Sequence, residues 1–186
     1  MSNISRFQRY AQRENQTTNN ALLMLSSLYR ISPHYFEEFI QSLSPDTESL
    51  TTTPTFQQQV GDSDGVVDGL VTFNPFKIVI ETKLSALETK EKLRKYMGRF
   101  SNDETGLLLH LSTFRFSDPE IENIQSEVVG SDGQIGFLSL TYADLLQGLS
   151  TLCGRYSYEK ELHRLKTDWE SYCLQDGLIV SRHILR

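Results

Sequence analysis

The chain alternates between stretches with helical spacing of apolar residues and stretches dense in β-branched residues. Over 4–30 the apolar positions Leu22, Leu23, Leu25 and Leu28 gather on one side of a predicted helix whose first half is polar and basic. Ser32-Pro33 ends it, and a short helix is predicted over about 34–43. Residues 44–54 are rich in Ser, Thr and Pro and read as a loop. Segments 56–60, 66–73 and 76–83 read as strands, with GDSDG and Asn74-Pro75 at their turns. A helix follows over about 86–100, a strand over 106–113, a helix near 118–128 that opens with Asp118-Pro119, a turn at 131–134 and a strand over 135–140. Thr141 is placed to cap a helix over 142–150, and 155–175 is helical, with Leu162, Leu165, Trp169 and Cys173 roughly on one side. The tail 177–186 reads as a strand or as a segment ordered against a neighbour. This order predicts an α/β sandwich: a mixed central sheet flanked by helices, with a helical C-terminal extension. The expected organisation is a core over 1–150, with 151–186 packed on it or on a partner.

Composition narrows the class. The 186 residues are 38% hydrophobic and 23% charged, ordinary values for a globular chain. No run of about 18 apolar residues occurs and the start lacks a signal-peptide pattern, so a cytoplasmic location away from membranes is expected. Cys153 and Cys173 have no metal-ligand spacing, and no nucleotide-binding glycine loop is present. No Ser or Cys stands in a nucleophile elbow. The net charge of −6 runs against a nucleic-acid partner, but the charge is segregated. Lys90, Lys92, Arg94, Lys95 and Arg99 crowd the helix after Lys83, and Arg6, Arg9 and Arg13 recur at helical spacing. By default such runs are solvated helix faces. Their place directly after Lys83 favours phosphate contact. Tyr96 reads equally well as core packing or as a substrate contact, and His110, in an apolar strand, as a satisfied core histidine.

Chemistry concentrates in the hairpin. Along 76–83, Lys77, Val79, Glu81 and Lys83 share one face, so Glu81 and Lys83 are neighbours at the end of an apolar strand. If 66–73 folds back symmetrically about Asn74-Pro75, Thr72 faces Lys77 and Asp68 lands opposite Glu81. Opposed Cβ atoms lie ~4.5–5.5 Å apart. A two-residue turn is disfavoured, because proline cannot take the positive φ of a type I′ turn; a four-residue turn keeps the same register. Two carboxylates held that close need a shared proton, a basic side chain or a divalent cation. A hard cation suits them, since Mg²⁺ takes one or two carboxylates with waters and phosphate oxygens. The second Glu-x-Lys, Glu88-Thr89-Lys90, falls in the predicted helix, where i and i+2 do not share a face. Asp62-Ser63-Asp64-Gly65 begins like a calcium loop but lacks its later ligands.

Asp68, a spacer, and Glu81-Thr82-Lys83 at a strand end resemble the PD-(D/E)XK, or restriction-endonuclease-like, nuclease superfamily over roughly residues 8–140. The resemblance implies a three-layer sandwich and a metal-dependent endonuclease. Asp68 and Glu81, with Glu14 and Thr82, would hold Mg²⁺ or Mn²⁺, and Lys83 would assist water attack on a phosphodiester. Glu14 matches by its place on the first helix. Lys92-Leu93-Arg94-Lys95-Tyr96 stands where some branches carry Gln-apolar-x-x-Tyr, with Lys in place of Gln, and Val67 stands in place of the namesake proline. The nucleic-acid contacts expected are Lys90, Lys92, Arg94, Lys95, Tyr96, Arg99, Arg13 and Arg9. DNA is preferred over RNA, and a homodimer is the analogy. The rivals are a catalytically inactive module that binds nucleic acid or protein on the same fold, and the nuclease domain of a larger defence or recombination machine.

Overall fold

The structure, a computed structural model, describes residues 13–45, 52–62, 65–85, 87–101, 103–129 and 134–180. The chain divides into two compact units, one of Met1–Leu23 with Glu48–Leu140, the other of Met24–Thr47 with Thr141–Arg186.

The first unit is built on a five-stranded sheet in the order β1-β2-β3-β4-β5. These are Thr55–Asp62, Gly65–Thr72, Phe76–Lys83, Thr105–Ser112 and Ile135–Thr141. β1 and β2 pair antiparallel, as do β2 and β3, while β3 and β4 run parallel, so the sheet is mixed. The N-terminal part of α1 (Arg13–Ile31) covers one face. There Gly69 permits a close approach: a Cβ on it would lie 3.3 Å from Leu22, Thr18 and Ile80. α3 (Lys90–Met97), α4 (Asp118–Ile124) and the π-helical turn that continues α4, Gln125–Val129, cover the other face. Leu93, Ile124 and Val129 from these helices bury against Val67, Val79, Leu108 and Phe137 of the strands. The expected α/β architecture, a mixed sheet with helices on both faces, is therefore present.

The second unit joins the C-terminal part of α1 to α2 (Pro33–Leu43), α5 (Tyr142–Arg155) and α6 (Lys160–Gln175). Thr141 caps α5 as expected, accepting from the Asp144 N–H while the Asp144 carboxylate accepts from Thr141. α2 and α5 meet at Gly148, where a Cβ would stand 2.7 Å from the Phe39 ring. After α6, Gly177 takes φ +65°, and the N–H groups of Gly177 and Leu178 bond back to Leu174 and Cys173. That cap ends the helix in a turn, and residues 177–180 form no strand.

Two local readings need correction. The predicted helix over 86–100 is shorter, because the Thr89 side chain accepts from the Lys92 N–H and sets the start of α3 at Lys90. The Asn74-Pro75 turn has two residues after all. A cis Asn74–Pro75 peptide closes it without positive φ, and Phe73 N–H donates to Phe76 C=O at 2.7 Å. The first helix is described from Arg13, so its predicted start, with Arg6 and Arg9, lies outside the described residues.

Candidate active site

The hairpin register is Thr72↔Lys77, Val71↔Ile78, Leu70↔Val79 and Gly69↔Ile80. This is the register expected from the sequence, and the ladder stops one pair short of Asp68 and Glu81. β2 changes course at that point. Val67 and Leu70, three apart, pack on the same core, and the neighbouring strand carries Gln59 at φ 49°. Where the ladder ends, the Asp68 side chain takes over its role: Asp68 Oδ2 accepts from the Thr82 N–H at 2.9 Å. A carboxylate thus stands beside the Glu81-Thr82-Lys83 backbone, its direction fixed by a main-chain donor.

Glu81 is 2% exposed and Lys83 is half-buried beside it. Lys83 Nζ donates to Glu81 Oε1 at 2.7 Å and to the Thr82 carbonyl at 3.3 Å. It lies 3.8 Å from Glu14 Oε2 and 3.4 Å from Glu88 Oε2. Glu14 reaches this place because its Oε1 also accepts from the Leu84 N–H, at 3.2 Å. The Thr82 side chain points to the opposite face of the sheet, where its hydroxyl and that of buried Thr18 share a 2.7 Å hydrogen bond. Thr82 can therefore offer the site only its carbonyl.

Glu88 was read from the sequence as a residue of the following helix. It stands before that helix and is buried. Its Oε1 accepts from the Thr89 N–H at 2.8 Å, and its Oε2 lies 3.4 Å from both Lys83 Nζ and Lys92 Nζ. The signal that could have exposed it is Thr89, a helix N-cap residue directly after it.

Burial drives the electrostatics. Loss of solvent, followed by the charge of Asp68, pushes Glu81 up to about 7 against the opposing pull of Lys83. Loss of solvent also raises Asp68, although its bond from Thr82 and the charge of Lys83 work the other way. Burial acts to lower Lys83, but its bond and charge pairing with Glu81, helped by Glu14 and Glu88, outweigh that and hold it above the ordinary lysine value. Burial and then the charge of Glu81 raise the phenol of Tyr96, a buried residue of α3. Glu81 Oε2 is buried without a well-formed hydrogen bond among the described residues, and the Tyr96 phenol and Glu88 stand close to this carboxylate.

His110 sits opposite Glu81 on the parallel strand β4 and is wholly buried, its ring 4.9 Å from that of Phe116. Neither ring nitrogen has a partner among the described residues, so it is not the satisfied core histidine expected. Burial pushes it down to about 4, and it is neutral at pH 7.

The basic residues of α3 divide. Lys92 is exposed and also influences Asp68. Lys90 points away, to Asn123 and to Glu127 at 2.9 Å. Lys95 pairs with Glu91 at 3.7 Å, and Arg94 is exposed. Arg99 lies past the helix end, where its carbonyl accepts from Lys77 Nζ. Arg13 is exposed on the first turn of α1.

The donor set suits a hard cation in part. Asp68, Glu81, Glu14 and Glu88 bring four carboxyl groups to Lys83 and Lys92, an excess of two negative charges when all are ionised. The buried Glu81 carboxylate, one oxygen of which makes no well-formed hydrogen bond, is a candidate ligand, with Glu88 and the Tyr96 phenol close beside it. Yet among the described residues no three of His, Cys, Asp and Glu come together as a group that could hold a metal ion. An open site with two carboxylates, completed by water and phosphate oxygens, is the arrangement that Mg²⁺ takes.

No family model matches the chain, and no curated protein does. Among solved structures, SfsA from Pyrococcus furiosus, in a complex with Ca²⁺, aligns at 14% identity and a TM-score of 0.34, over 56% of this chain and 54% of SfsA. The MspJI restriction endonuclease, in a complex with a 27-mer oligonucleotide, aligns at 14% identity and a TM-score of 0.35, over 91% of this chain and 41% of that enzyme. The chain thus spans about half or less of the length of either.

Proposed function

We propose that the chain hydrolyses phosphodiester bonds of nucleic acid with the help of a divalent cation, Mg²⁺ or Mn²⁺. The observation that carries this reading is the meeting of Asp68, Glu81 and Lys83 at the carboxyl end of the central strand β3, with the Glu81 carboxylate buried. Asp68 and Glu81 would hold the cation, with the Thr82 carbonyl beside them. When bound, such a cation neutralises charge on the phosphoryl group and makes water more acidic. Lys83 stays protonated through neutral pH, which suits a fixed positive charge aimed at the developing phosphorane and not a proton acceptor. Glu14, anchored on the Leu84 N–H, and Glu88 hold the Lys83 ammonium in place. Lys92, exposed and next to the site, is the first of the α3 residues to meet a phosphate; Arg94, Lys95 and Arg13 extend the track, with DNA preferred over RNA.

A second reading, a binding module without catalysis, has two observations in its favour: Lys83 already neutralises Glu81, and among the described residues no group of three or more His, Cys, Asp or Glu could hold a metal ion. Incubation with linear, branched and single-stranded DNA and with RNA, in Mg²⁺ or Mn²⁺, separates the two. The nuclease reading predicts metal-dependent cleavage of at least one substrate that Lys83→Ala abolishes. Binding without cleavage in either metal would favour the module.

A further inference from the structure

Phe114 and Phe116 are two residues apart with opposite fates. Phe116 is 7% exposed, its ring 4.9 Å from His110 and 5.9 Å from Phe137. Phe114 is 55% exposed. The loop that carries it is pinned at several points. The Thr113 hydroxyl donates to the Leu84 carbonyl at 2.8 Å, Phe114 N–H to Ser112 Oγ at 3.2 Å, and Phe116 N–H to Ser139 Oγ at 3.1 Å. Ser112 and Ser139 are themselves buried. An apolar ring held outward by an anchored loop has lost its backbone freedom before any partner arrives, so a ligand that covers it is spared that ordering cost.

Its position adds to this. β3 and β4 run parallel with Lys83 opposite Ser112, so both strands leave the sheet at the same edge. Leu84 and Thr113 are the next residues, joined by the bond just described, and Phe114 follows. In open α/β sheets ligands bind beyond the carboxyl ends of parallel strands, and β3 and β4 form such a pair here. Arg115, the next residue, is half exposed and keeps its guanidinium 3.8 Å from Asp118.

We propose that Phe114 is a stacking platform for one unpaired nucleobase, with Arg115 on an adjacent phosphate, and that it gives the protein a preference for single-stranded or frayed nucleic acid over closed duplex. The inference rests on the nucleic-acid reading above and deepens it. An exposed aromatic face stacks with any base, while a base inside a closed duplex cannot reach it.

The test is binding of the full chain in EDTA, where hydrolysis plays no part. The probes are a single-stranded oligonucleotide with 2-aminopurine and a blunt-ended hairpin duplex of the same length. Wild type should bind the single strand more tightly and quench its 2-aminopurine emission. Phe114→Ala should lose about tenfold in single-strand affinity, together with the quenching, and keep its duplex affinity; Phe114→Trp should restore both. Equal single-strand affinity and quenching in wild type and Phe114→Ala would overturn the proposal, as would wild type that binds neither probe. Cleavage in Mg²⁺ is scored separately. Stacking without cleavage contradicts the nuclease reading and leaves this one standing; cleavage with no effect of Phe114→Ala does the reverse.

Discussion

Replacing Glu81 with glutamine should make the protein more stable at alkaline pH and, under the proposed function, should abolish cleavage. The carboxyl is 2% exposed and pushed from the ordinary 4.5 up to about 7, first by burial and then by the charge of Asp68. Between those two values the folded chain holds a proton that the unfolded chain has released. Stability therefore falls as pH rises from about 4.5 to 7 and levels off above. At pH 8 the ionised carboxylate costs the fold up to about 3 kcal/mol, an order-of-magnitude figure. Glutamine has nearly the same shape, keeps an oxygen for the Lys83 ammonium and carries no charge. Urea denaturation of wild type and Glu81→Gln at pH 4.5, 6 and 8 in EDTA measures the difference. The two should agree closely at pH 4.5, and the variant should lead by about 1–3 kcal/mol at pH 8. A variant less stable than wild type at pH 8, or a difference that does not change with pH, would refute the reasoning.

Thr18→Val leaves the buried Thr82 hydroxyl without its 2.7 Å partner and should lower stability by about 1–3 kcal/mol in chemical denaturation, whereas adding Thr82→Val should recover most of the loss. Lys92→Ala should reduce the salt dependence of nucleic-acid binding by about one phosphate contact; Lys90→Ala, whose ammonium is engaged by Asn123 and Glu127, should leave the slope unchanged. Gly148→Ala drives a methyl to 2.7 Å from the Phe39 ring and should cost about 1–3 kcal/mol of stability, read as a lower melting temperature.

The β2–β3 register was legible because the pairing sum is fixed once the turn is centred on Asn74-Pro75, and the structure keeps that sum to Gly69↔Ile80. The turn itself was not, since a cis peptide leaves no mark in the residue pattern. Nor does an alternating pattern show where a ladder will end, and that ending turns Asp68 toward the Thr82 N–H in place of a plain cross-strand pair. The place of Glu88 was hidden because periodicity ran the helix back through it; only the cap at Thr89 separates a solvated helix residue from a buried partner of Lys83. The bare ring nitrogens of His110 depend on what the tertiary fold packs around them, which an apolar strand pattern does not encode.

Manganese binding followed by the loss of the free-ion electron paramagnetic resonance signal is the most direct measurement. If the acids on the two neighbouring strands share a cation, wild type takes up one Mn²⁺ per chain, and Asp68→Asn and Glu81→Gln each weaken that uptake at least tenfold while remaining folded. Uptake unchanged in both variants, or none by wild type, would contradict the account.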